Sequence, residues 1–146
     1  IFKEASDSFG CQCIVLAIDA YKDQSNFKSG YNVSTHGGKK KTDIDALEWA
    51  MEGEKNGAGE ILLTSMNADG TKLGYDIELT SKISTEVSIP VIASGGAGKP
   101  IDMVNVLNKG NASAVLAASI FHFGIYSIEN VKKEMLKYKI PVRNTW

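Results

Sequence analysis

The chain has 146 residues, 43% hydrophobic and 23% charged, with 16 basic side chains against 17 acidic. That is one domain's length, enough to bury roughly 70% of the unfolded surface, and so ordinary a composition excludes disorder, collagen and a disulfide scaffold. A formal net charge of −1 gives no broad footprint for nucleic acid or an anionic membrane, and the apolar runs are strand-sized, too short to span a bilayer.

Ile1-Phe2-Lys3-Glu4-Ala5 reads like the middle of a helix, and the expectation is a chain excised from a longer protein. Cys11 and Cys13 lie two apart at the mouth of an apolar run. No second pair or histidine cluster completes a metal site, so no metal or cofactor is implied. The pair is expected as buried, reduced thiols on one face of a strand, in a cytoplasmic protein.

Four apolar runs follow: Cys13 to Ala20, Ile61 to Met66, Pro90 to Ala93 and Ala114 to Ala118. Each is apolar almost throughout, which predicts strands buried on both faces of a parallel sheet. Helical spacing fills the gaps. Asp43 to Asn56 is expected to start at Thr42 or Asp43 and stop at Gly57, and Asp76 to Glu86 repeats the pattern. Pro100 to Asn108 opens on a first-turn proline and ends before Gly110, and Ile128 to Tyr138 forms an amphipathic helix broken by Pro141. The order βαβαβαβα predicts a parallel α/β fold. A long insertion, Tyr21 to Thr42, separates the first strand from its helix and suggests a small hairpin around Ser29-Gly30. Its run Lys39-Lys40-Lys41 reads as a solvated turn, with attraction of a phosphorylated ligand as the functional alternative.

Polar residues stand where each strand ends: Asp19, Thr64 with Ser65, Ser94 and Ser119. Carboxyl ends are where ligands bind in parallel α/β folds. Ser94-Gly95-Gly96-Ala97-Gly98 joins a strand to a helix, so its backbone amides, the helix N-terminus and the Ala118-Ser119 segment together predict a phosphate site. Asp19, an acid closing an apolar strand, is a candidate general acid or base. Asp69, in Asn67-Ala68-Asp69-Gly70-Thr71, orients a substrate or forms an Asx-turn. Glu60 precedes its strand and belongs at the opposite end, where a charge is normally a surface feature.

Val15 to Ala20, Gly57 to Met66, Asp69 to Asp76, Ile92 to Lys99 and Ala117 to Phe123 together resemble the cyclase subunit of imidazole glycerol phosphate synthase. The resemblance implies strands five to eight of that family's (β/α)8 barrel, a (βα)4 half in one domain of residues 1–146. Ile1 to Phe9 would then be the tail of the preceding helix. It implies a cyclase of histidine biosynthesis. That enzyme takes ammonia from a glutaminase partner and converts a phosphoribulosyl-formimino aminoimidazole carboxamide ribotide to imidazole glycerol phosphate. Asp19 matches the general acid of a two-aspartate pair. Thr64, Gly95, Gly96, Ala97, Ala118 and Ser119 match positions around a substrate phosphate, and Glu60 matches a charged gate for ammonia. Asn67 stands where the family often has aspartate.

The partner aspartate, the other phosphate site and most of the gate belong to the other half, so the isolated chain is expected to be inactive or very weak. The other readings are a non-catalytic phosphate-binding half-barrel and an amidotransferase relative serving surface-sugar synthesis. The isomerase of the same pathway shares the barrel and the Asp-Gly-Thr turn. Four strands cannot close a barrel. The first and last are therefore expected to expose free edges, and Ile14, Leu16, Leu62, Ile92 and Leu116 to line an open inner face. Pairing with a second copy, as a homodimer or larger assembly, or with the missing half would cover both.

Overall fold

Six strands form one sheet in a computed structural model that describes residues 1–24 and 26–143. The elements run α1 (Phe2–Phe9), a 3-10 turn (Cys11–Cys13), β1 (Val15–Lys22), β2 (Tyr31–Thr35), β3 (Lys40–Asp45), α2 (Ala46–Lys55) and β4 (Glu60–Ser65). They continue α3 (Ile77–Ser84), β5 (Val91–Ser94), α4 (Pro100–Lys109), β6 (Ala114–Val115), α5 (Ser119–His122) and α6 (Ile128–Lys137). The sheet order is β3-β2-β1-β4-β5-β6. The four strands expected from the apolar runs, β1, β4, β5 and β6, are parallel, and β2 and β3 are antiparallel additions.

The strands are not buried on both faces. Burial alternates: Leu16, Ile18 and Ala20 of β1, Ile61, Leu63 and Ser65 of β4, and Val91 and Ala93 of β5 are buried, while their neighbours face out. The buried side packs under α2 and α3 into one core and under α4 and α6 into another, which holds Met103, Val106, Ile120 and Met135. The opposite face is apolar but open, with Val15 and Leu116 about half exposed. Period-2 geometry therefore corrects the expected wall on β1, where Ile14, part-buried and just before the strand, shares the parity of Leu16. Leu16 faces the helices, and Val15, Ala17, Leu62 and Ile92 share the open side.

The insertion, in which Ser25 lies outside the described residues, builds the extra strands. Its tight reversal is at His36–Lys39, between β2 and β3, not at Ser29-Gly30, which closes the longer connection from β1 to β2. The predicted lysine turn is mostly strand, since Lys40 and Lys41 begin β3. β2 pairs with Asp19–Lys22 of β1 alone, so the outer edge of that strand is free only over Val15–Ile18. Polar groups tie the hairpin down. Asp76, the N-cap of α3, accepts from Leu79 N (3.0 Å), Tyr31 Oη (3.1 Å) and Ser65 Oγ (3.2 Å). Burial, helped by the charges of Asp76 and Glu78, pushes the Tyr31 hydroxyl well above its usual range.

Two further expectations change. Helix α2 is capped by Asp45, whose carboxylate accepts from Leu47 N and Glu48 N and also from Ser29 N at 2.8 Å. Thr42 and Asp43, the expected caps, lie in β3. Cys11 and Cys13 are free but exposed, because the chain turns through a 3-10 helix before β1 begins. Among the described residues, no helix is long and apolar enough to cross a membrane.

Candidate functional site

The parallel register places three polar side chains in one row at the carboxyl end of the open face. Asp19 of β1 pairs with Thr64 of β4, and Thr64 with Ser94 of β5. Strand spacing sets Asp19 about 10 Å from Ser94 across the sheet. Among the described residues, none of the three side chains makes a hydrogen bond to protein. The carboxylate and two hydroxyls are therefore available to a ligand. One row below, Ala17, Leu62, Ile92 and Ala114 form an apolar floor.

Beside Ser94 lies a cavity of about 120 Å³ lined by Asp69, Gly70, Lys72, Ser94–Ala97 and Leu116–Ser119. The structure thus brings together Gly95, Gly96, Ala97, Ala118, Ser119 and Asp69. Thr64 lies one strand away, and Asp19 two. Backbone close packing shapes the wall. Gly95 and Gly96 adopt φ of 89° and 100°. A Cβ on Gly96 would sit 2.1 Å from the Gly74 carbonyl oxygen, and one on Gly98 2.0 Å from that of Lys72. These glycines let the Asp69–Asp76 turn lie directly on the Ser94–Gly98 loop, with Gly74 N donating to Gly96 O at 2.8 Å. Among the described residues, the amides of Gly96 and Ala97 donate to no protein group.

The helix contribution differs from expectation. Gly98 N and Lys99 N, at the entry to α4, donate to Asp102 Oδ2 at 3.0 and 2.8 Å. That carboxylate occupies the positive helix end, so the unpaired amides facing the cavity are those of the loop itself. Tyr75 fixes the other side. Its hydroxyl donates to Leu116 O at 3.0 Å, and burial with the nearby Asp102 charge raises it far above its usual range.

Residues 1–127 match the family model for the histidine biosynthesis protein. The chain belongs to that family. It is 54% identical over 143 residues to the imidazole glycerol phosphate synthase subunit HisF of Dehalococcoides mccartyi, covering 98% of this chain and 55% of the relative. The HisF subunit of Corynebacterium diphtheriae is 52% identical over 147 residues, covering 99% and 57%. That of Caulobacter vibrioides is 54% identical over 138 residues, covering 94% and 52%. The chain spans about half the length of the curated relatives it matches.

In this member of the family, Glu60 lies on the same face as Thr64, four residues back along β4, or about 13 Å. Its side chain makes no ion pair or hydrogen bond among the described residues. Sequence reasoning overlooked Lys72, Tyr75, Asp76 and Asp102. Asp76 and Asp102 carried a readable signal, an acid at the N-cap of one helix and at the third position of the next. Lys72 carried none, because only the fold folds its turn back over the glycine loop.

Proposed function

We propose that residues 1–146 form the carboxyl-terminal (βα)4 half of a TIM-type (β/α)8 barrel and carry half of a cytoplasmic cyclase active site, which turns the formimino ribotide and ammonia into imidazole glycerol phosphate and the aminoimidazole carboxamide ribotide. The observation that carries this reading is the row Asp19–Thr64–Ser94, which runs directly into the cavity bounded by Gly95–Ala97 and Ala118–Ser119. One substrate phosphate would accept from the Gly96 and Ala97 amides and from the Ser119 hydroxyl. Thr64 would orient the chain between phosphate and reacting carbons, with Asp69 at the rim. Asp19, about 10 Å away, would deliver a proton to the leaving or closing atom as general acid. The reading needs no metal or cofactor.

The apolar floor below the row leads to Glu60 at the amino end of the strands, where ammonia from a glutaminase subunit would enter. A second four-stranded unit would cover the open face and supply the complementary acid. Without it, a second copy of this chain is the expected cover. Sedimentation at micromolar concentration should then show a dimer or larger species, and a stable monomer would contradict this.

The test of function mixes the chain with the amino-terminal half of a HisF relative and supplies ammonium salt. Turnover should appear in the mixture and be very weak for the chain alone. Asp19→Asn keeps the shape but removes the proton donor. It should lower kcat by 10²- to 10⁴-fold, with roughly constant KM. Undiminished turnover would remove Asp19 from the mechanism.

A further inference from the structure

We infer that Lys72 supplies the positive charge of the phosphate cavity, acting as a movable cation that leaves an aromatic ring for the bound anion. The inference rests on the phosphate reading above and names the side chain that reading lacks. Asp69 and Lys72 are the charged residues in the cavity wall among the described residues. The loop amides provide direction but no net charge, and Asp69 opposes an anion. A cation here would balance a dianionic phosphate, and among the described residues Lys72 is the one in the cavity wall.

The backbone of Lys72 is held in the left-handed region at φ 59°, which is unfavourable for a residue with a Cβ. The surrounding turn enforces it. Thr71 Oγ1 donates to Ala68 O at 2.6 Å and accepts from Leu73 N at 3.3 Å, while Gly74 N is bonded to Gly96 O. The root of the lysine is thus fixed against the loop whose amides are free. Its ammonium lies 5.9 Å from the centroid of the Phe123 ring, and Phe123 is 69% exposed. Among the described residues Lys72 has no carboxylate partner. An exposed cation–π contact is weak and easily exchanged for a charge-assisted hydrogen bond to phosphate. Lys40 and Lys41, the basic residues first noticed in the sequence, belong to β3, five strand spacings from β6 and so about 24 Å away along the sheet.

The test is a titration with inorganic phosphate followed by the ¹⁵N–¹H resonances of Gly96, Ala97 and Ser119, in wild type, Lys72→Met, Lys72→Arg and Lys72→Gly. Lys72→Met should weaken phosphate binding about 5- to 20-fold and flatten its dependence on salt. Lys72→Arg should stay within about threefold. Lys72→Gly relieves the left-handed backbone, so it should fold at least as stably and still lose affinity like the methionine variant. Met and Gly variants binding within twofold of wild type would overturn the role of Lys72 and leave the site standing. Absence of phosphate-induced shifts at the three amides in wild type would overturn the site, and this inference with it.

Discussion

The two faces of the sheet have similar composition and opposite fates. Leu63 and Ile61 point into packed cores and are almost wholly buried, whereas Leu62 between them, and Val15 and Ala17 on β1, point to the open side. Neighbouring leucines on one strand thus do different work. One packs into the core, and the other lies on the open side. Apolarity alone does not separate them; parity along the strand does.

Stability measurements can break that comparison. The largest effect is expected for Leu63→Ala, about 3–4 kcal/mol by urea denaturation, because it leaves a cavity between sheet and helices. Leu62→Ala should cost under about 1 kcal/mol in the chain alone. Equal losses would show that the open face is already covered. Next comes Asp76→Ala, at about 2–3 kcal/mol. It removes the α3 cap and strands the buried Tyr31 hydroxyl. Thermal unfolding should register it as a clear fall in Tm.

Asp45→Ala should cost about 1–2 kcal/mol near neutral pH. Burial disfavours its charge, but hydrogen bonds from Ser29, Glu48 and Leu47 outweigh this and leave its pKa lowered from 3.8. A carboxylate depressed on folding stabilises above its unfolded pKa and loses that contribution as pH falls through the folded one. The gap between wild type and Asp45→Ala should therefore narrow below about pH 4. A gap independent of pH would assign the loss to packing. The smallest effect belongs to Glu78. Lys82 and Lys22 hold it at about 2, yet the carboxylate is 45% exposed. Solvent screening should keep Glu78→Gln within about 0.5 kcal/mol.

The parallel strands, their helices and the ends bearing Asp19, Thr64, Ser94 and Ser119 were legible because apolar runs, caps and glycines are local signals. The exact lining of the open face was not: the resemblance implied an open inner wall with Leu62, Ile92 and Leu116 on it, but it put Leu16 there in place of Ala17. A strand that will form an inner wall and a strand buried between helix layers have the same residues, and only register separates Leu16 from Ala17. The cysteines were misread for a related reason: the apolar run begins before the strand does, and a 3-10 turn takes up Cys11 and Cys13. The glycine loop was recognised, but its glycines also allow close loop-on-loop packing. Gly96→Val would therefore disrupt the fold of the loop, and Ser119→Ala is the cleaner probe of phosphate binding.

The central claim, that the open side of the sheet is an inner wall awaiting a second four-stranded unit, is tested most directly by thiol labelling at Ala17. This residue is exposed in mid-strand, between buried Leu16 and Ile18. In a Cys11→Ser, Cys13→Ser background, Ala17→Cys should label quickly in any monomer. It should be strongly protected once the amino-terminal half of a HisF relative, or a second copy of the chain, is bound. Labelling at the free rate within a complex shown to have formed would contradict the account.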